Sequence, residues 1–137
     1  MVDTVTSRVL RDGNNRYSVH LTNVSDGTSE TNVVKIDRSS LTGPNGVDAP
    51  SKMSIEEIAY DIQGFTAVYL DWDDSTHQVG VKMSGQNFMD YRHLSNLTPD
   101  DHADQVANPE YGDIILTTVG AASDATYDIT ITVKLKL

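Results

Sequence analysis

Apolar residues in this chain recur at every second position, the period of a strand with one face buried, and not at the three-and-four spacing of a helix. The end of the chain shows this best. Tyr127, Ile129, Ile131, Val133, Leu135 and Leu137 alternate with Asp128, Thr130, Thr132, Lys134 and Lys136. Successive strand side chains point to opposite faces, so one face here is wholly apolar and the other wholly polar. The same alternation runs through Tyr17, Val19 and Leu21, through Ile58, Tyr60 and Ile62, through Val68, Leu70 and Trp72, and through Val79, Val81 and Met83. "TNVVKID" and "GDIILTTV" are apolar on both faces, which suits a central strand, and "DTVTSRVL" is a weaker strand around Val5 and Val9. About eight strands are predicted.

The segments between these runs have turn chemistry. "RDGNNR" and "SDGTSET" each carry Asp-Gly, a hairpin signal because glycine accepts positive φ. "IQGF" places Gly64 between two strands. Two connections are long: residues 38–54, with Gly43, Pro44, Gly46 and Pro50, and residues 84–111, with Pro99 and Pro109. Thr98 and Pro99 suit one short helical turn. Ser54 and Glu57 have the spacing of a helix capping box, but Tyr60, Ile62 and Phe65 favour a strand there. Short strands without β–α alternation predict an all-β fold: one antiparallel β-sandwich domain over residues 1–137, a jelly roll or related Greek key, with two long loops.

Composition narrows function mainly by exclusion. Twenty acidic residues against ten basic give a net charge of −10, the wrong sign for gripping phosphate backbones, so no direct nucleic-acid binding is expected. No run approaches the roughly 18 apolar residues of a membrane span. Cysteine is absent, which removes disulfides, thiol nucleophiles and thiolate metal sites.

The candidate chemistry is thin. "YLDWDDSTHQVGVKM" packs Asp71, Asp73 and Asp74 just ahead of His77. It lacks the glycine and closing glutamate of a calcium loop, so it reads as a hairpin tip. His20, His77, His93 and His102 show no metal-ligand spacing, and the Gly-x-Ser-x-Gly elbow is missing. No enzyme activity, cofactor or metal is expected. Trp72 alternates with Asp71 and Asp73 and is expected in the core, whereas Tyr91 and Tyr111 fall in the long connections.

Three segments, "VVKIDRSSLTGPNG", "SIEEIAYDIQGFTAVYLDWD" and "YGDIILTTVGAASDATYDITITVKLKL", carry a resemblance. They resemble a group of small virion proteins of tailed bacteriophages, especially phages of marine bacteria and cyanobacteria. The match spans roughly residues 33–137, and its motifs are structural, so no catalytic residue carries over. The resemblance implies a virion structural protein, with capsid decoration (a cement role) as the specific expectation. That makes the major capsid protein the expected partner and the capsid surface the expected location, with trimers or dimers on the shell. The partner-binding residues expected in the long connections are Leu41, Pro44, Val47, Phe88, Met89 and Tyr91, apolar side chains in polar loops that need a burial partner, either another chain or, as for Phe88 and Met89 in particular, the domain's own core. The alternatives are a head–tail or tail component, or a carbohydrate- or cell-surface-binding sandwich using Trp72, Tyr91, Tyr111 and the Asp-rich loops.

Overall fold

The computed structural model describes residues 4–13, 15–43, 46, 50, 52–73, 78–92, 96–97 and 113–136. These form nine strands: β1 (Thr4–Asp12), β2 (Arg16–Asp26), β3 (Val33–Ile36), β4 (Lys52–Gln63), β5 (Ala67–Trp72), β6 (Gln78–Met83), β7 (Gln86–Asp90), β8 (Ile114–Val119) and β9 (Ser123–Lys136). A short 3-10 turn, Arg38–Ser40, follows β3.

One sheet has the order β1-β2-β9-β4-β7 and the other β3-β8-β5-β6. The pairings explain that order. β5 pairs with β6, β4 with β7, β3 with β8 and β2 with β9, all antiparallel. The chain from β2 to β9 is therefore one long hairpin with its tip at β5–β6. Rolling it up brings β4 against β9 and β5 against β8. This is a jelly roll of eight strands, the all-β sandwich anticipated from the alternation. β1 lies outside the roll, added to the free side of β2.

The core fills the space between the sheets. Val19 and Leu21 from β2, Ile58 from β4, Leu70 and Trp72 from β5, and Ile129, Ile131 and Val133 from β9 are all buried. The Trp72 indole N–H donates to the Met53 carbonyl at 3.1 Å, so its one polar atom is paired across the core. β8 is buried on both faces at Ile114, Ile115 and Leu116, as its two-sided apolar pattern requires.

Three local expectations are corrected. First, β4 starts at Lys52, inside the connection expected over residues 38–54, and the strand favoured there over a capped helix is what forms. A bulge between Ile55 and Glu57 shifts the phase by one residue, so Met53 and Ile55 face the core with Ile58 and Tyr60 although the strict alternation breaks between them. The bulged Glu56 carboxylate is buried and takes the Arg16 Nε–H at 3.1 Å. Second, residues 86–90 are a strand, β7, within what the sequence presents as a long loop. Third, the Asp26–Gly27 turn makes no hairpin. The Thr28 N–H donates to Asp26 Oδ1 at 3.0 Å, and the chain then crosses to the other sheet.

That crossing is held by a buried polar network. Glu30 accepts from Tyr127 Oη at 2.6 Å, Lys35 Nζ at 2.7 Å and Asn23 Nδ2 at 2.8 Å. These bonds tie β2 and β9 of one sheet to the entry of β3 in the other. Gly64, between β4 and β5, has φ +84, and a Cβ there would lie 2.9 Å from the Ala125 Cβ, so the turn accepts only glycine without displacement.

Candidate functional site

Among the described residues, no three His, Asp or Glu side chains group as a metal site would require. Asp71 and Asp73 are half-buried, Asp71 within β5, and the Asp73 N–H donates to the Asp113 carbonyl at 2.8 Å. Asp74, His77, His93, His102, Tyr111 and the turn expected at Thr98 lie outside the described residues. Among the described residues, the one carboxyl with a large shift is Asp113. Burial raises it to about 6, although the Arg38 N–H donates to it at 2.8 Å. Arg38 is itself buried and reaches the Pro50 carbonyl at 2.8 Å, so this pair ties the segment after β3 to the start of β8.

The residues expected to bind a partner separate into three kinds. Pro44 and Val47 lie outside the described residues. Leu41, Met89 and Tyr91 are half-buried and pack against the protein's own core. Tyr91 is further held by its N–H on the Glu56 carbonyl at 2.8 Å, and its hydroxyl lies 3.4 Å from the Met89 sulfur. Burial pushes the Tyr91 phenol up, with a smaller contribution from Tyr60. Only Phe88 stands out, 57% exposed on the outer face of β7. Trp72, one of the aromatics of the carbohydrate-binding alternative, is buried and unavailable to a ligand.

Phe88 borders a shallow, open groove of about 540 Å³ on the outer face of β9-β4-β7. Its floor is Ala59, whose small side chain leaves the space, and its walls include Asp61, Gln86, Asn87, Asp128 and Thr130. Asp61 and Asp128 are direct cross-strand partners. Like charges in that arrangement repel, and each has one relieving neighbour. Gln63 Nε2 donates to Asp61 Oδ1 at 2.9 Å, and His20 Nε2 lies 2.6 Å from Asp128 Oδ1. Two further carboxylates lie nearby in the same sheet. Arg92 bridges Asp90 at 2.8 Å and Glu57 at 3.5 Å. This end of the sheet thus combines an exposed aromatic ring with an excess of negative charge.

The opposite end of the same sheet has the opposite character. Every side chain of β1 from Val5 to Asp12 is exposed, including the large apolar Val5, Val9 and Leu10. Val5 and Val9 pair with Asn23 and Val19, so they share the core-facing side of the sheet. Five strands face four, and β1 is the one left uncovered. Val33 and Val34 of β3, an edge strand of the second sheet, are also exposed. Arg8 and Arg11 rise from β1 on the outer face, next to His20 and Ser18. The sequence shows β1 only as a weak strand. Its place at an edge depends on pairing between distant segments, which local alternation does not encode.

Compared with protein-family models, curated proteins and solved structures, the chain finds no match.

Proposed function

We propose that this chain is a non-catalytic structural protein of a bacteriophage virion, and within the virion a capsid-decorating protein that binds the assembled shell. The observation that carries the reading is where the exposed apolar side chains fall. Among the described residues, six of the seven exposed large apolar side chains lie on edge strands, Val5, Val9 and Leu10 on β1, Val33 and Val34 on β3, and Phe88 on β7; the seventh, Val24, is on β2 next to the edge. Edges present unpaired backbone groups and invite pairing with another chain. Adding apolar side chains to them makes a surface suited to protein contact. The resemblance of residues 33–137 to small phage virion proteins supplies the setting. The jelly roll supports it only by analogy, since that fold serves both capsid and lectin domains. A clamp that binds only the assembled shell stabilises it by linkage, and many identical copies add avidity to weak contacts.

The experiment is a reconstruction of the virion that encodes the chain. Density for this jelly roll spread over the whole shell supports decoration. A single ring at the tail-bearing vertex would make it a head–tail or tail component instead.

The Phe88 groove favours a second reading, a carbohydrate-binding module. An exposed ring beside carboxylates and amides suits a sugar, whose face stacks and whose hydroxyls hydrogen-bond. A glycan array decides this: robust binding to one glycan, lost in Phe88→Ala, would displace the decoration reading.

A further inference from the structure

We propose that copies of this chain associate head to tail by sheet continuation, with β7 of one copy pairing with β1 of the next. The inference deepens the decoration reading, because it rests on the chain working through protein contacts, and it names the second copy as one partner.

Both ends of the five-stranded sheet are strands with one paired side among the described residues: β1 pairs only with β2, and β7 only with β4. Their chemistry is complementary. β1 presents Arg8 and Arg11, neither with an ion-pair partner among the described residues. Around β7 lie the carboxylates of Glu57, Asp61, Asp90 and Asp128; Arg92 bridges Glu57 and Asp90, while Asp128 contacts His20 and Asp61 accepts from Gln63. On a chain of net charge −10, this acidic end has few attractive neighbours on another copy, and the basic edge strand is one.

The register matches as well. The cross-strand pairs form straight rows over the outer face. One row runs Arg8–His20–Thr130–Ala59–Phe88. The next runs Arg11–Ser18–Thr132–Glu57–Asp90, and the row on the other side Thr6–Thr22–Asp128–Asp61–Gln86. Carrying these rows into a second copy sets its Arg8 beside Phe88, its Arg11 beside Asp90 and its Thr6 beside Gln86. A guanidinium over an exposed ring is a cation–π contact, and an arginine beside a carboxylate is an ion pair.

Four successive antiparallel pairings separate β1 from β7, so the two strands run in the same direction and the new ladder is parallel. Asn87 Oδ1 now takes the Phe88 N–H at 2.8 Å, a bond that the incoming strand replaces. Pairing β1 with a second β1 instead would bring four arginines together, and charge disfavours it. A head-to-tail contact uses two different surfaces and so propagates into a ring or an open row of copies.

Sedimentation of the free protein over a wide concentration range tests this. The native chain is expected to grow in mass with concentration. Arg8→Glu with Arg11→Glu is expected to abolish that growth, and so is Phe88→Lys, because each sets like charges across the junction. All three side chains are exposed, so melting temperatures should stay close to native, which separates lost association from lost fold. The double variant R8E/F88K exchanges the charges at that contact while keeping Arg11 beside Asp90, and is expected to associate again. A native chain that stays monomeric at every concentration overturns the proposal. So does association that survives Phe88→Lys, which would mean β1 pairs with β1, and so does failure of R8E/F88K to recover. None of these outcomes bears on whether the chain binds a shell, so the decoration reading is judged separately.

Discussion

β9 and β1 flank the same strand, β2, through antiparallel ladders in the same sheet, yet they stand in opposite relations to the fold. Every inward side chain of β9 from Ala125 to Leu135 is buried. Every side chain of β1 from Val5 to Asp12 is exposed, including two valines on the core-facing side. The ladder is the same kind of interaction in both; what differs is whether a second sheet lies opposite. Backbone pairing, with a hydrogen bond between the Thr6 and Thr22 hydroxyls, ties β1 to β2, and its side chains contribute little to the core. The core accounts for the apolar residues of β9 but not for the apolar and basic residues of β1, which the proposed contact with another chain would use.

Substitutions that strike one strand and spare the other break this contrast most directly. The largest effect is expected from ending the chain after Ile131. Val133 and Leu135 leave the core, and β2 and β4 lose their partners at Tyr17 and Ile55. Burial alone is about 1.5–3 kcal/mol for each large side chain, against a total stability of about 5–15 kcal/mol. The shortened protein should be unfolded or aggregated by circular dichroism; an unchanged melting temperature would remove the central role given to β9.

Next comes Glu30→Ala. It strips the acceptor from Tyr127 and Asn23 and leaves the Lys35 ammonium, 5% exposed, without its carboxylate. Breaking one partner of a buried pair costs about 3–5 kcal/mol. Urea unfolding should show a loss of that size, with a smaller loss for Glu30→Gln, which keeps an acceptor.

Asp113→Asn is expected to act in the stabilising direction. Burial holds Asp113 at about 6 in the fold, against roughly 4 for an unfolded aspartate, so the folded state disfavours the ionised form. The penalty is in force above pH 6 and disappears as the pH falls toward 4. The amide still accepts from the Arg38 N–H. The variant should gain about 1–2 kcal/mol at pH 7.5, seen as a rise of a few degrees in melting temperature, and the gain should vanish near pH 4. A gain independent of pH would mean that ionisation is not its source.

The smallest effect is expected at β1. Val5→Ser with Val9→Ser removes apolar groups that are already 41% and 51% exposed, so each change should stay within about 0.5 kcal/mol. A large loss would show that β1 belongs to the core after all.

The alternation made the interior strands legible because one-sided burial writes period two into the chain. Tyr127 to Leu135, Val68 to Trp72 and the two-sided "DIILTTV" all sit where that reasoning puts them. It failed where something other than core burial makes the strand. β7, "QNFMD", has no alternating pattern and is a strand because β4 offers it a free side. The first half of β4 was hidden by the bulge at Glu56, and the end of β2 by Asn23 and Ser25, polar residues in inward positions; Asn23 is paired there with Glu30. The candidate surface was less legible than the fold. Phe88 stands exposed as a residue seeking a partner would, but Met89, Tyr91 and Leu41 use their apolar surface on the protein's own core. Arg8, Arg11, Asp61 and Asp128 gain meaning only from the order of strands in the sheet, which brings residues more than a hundred positions apart into one row.

Occupancy on purified shells is the most direct measurement. On the proposed reading, native chain and the Val5→Ser/Val9→Ser variant would be incubated with phage shells lacking this protein, then sedimented and quantified. If the edges of this jelly roll act in assembly, the native chain sediments with the shells, and the variant melts at the native temperature but shows clearly reduced occupancy. A native chain left entirely in the supernatant, or a folded variant with full occupancy, would contradict that.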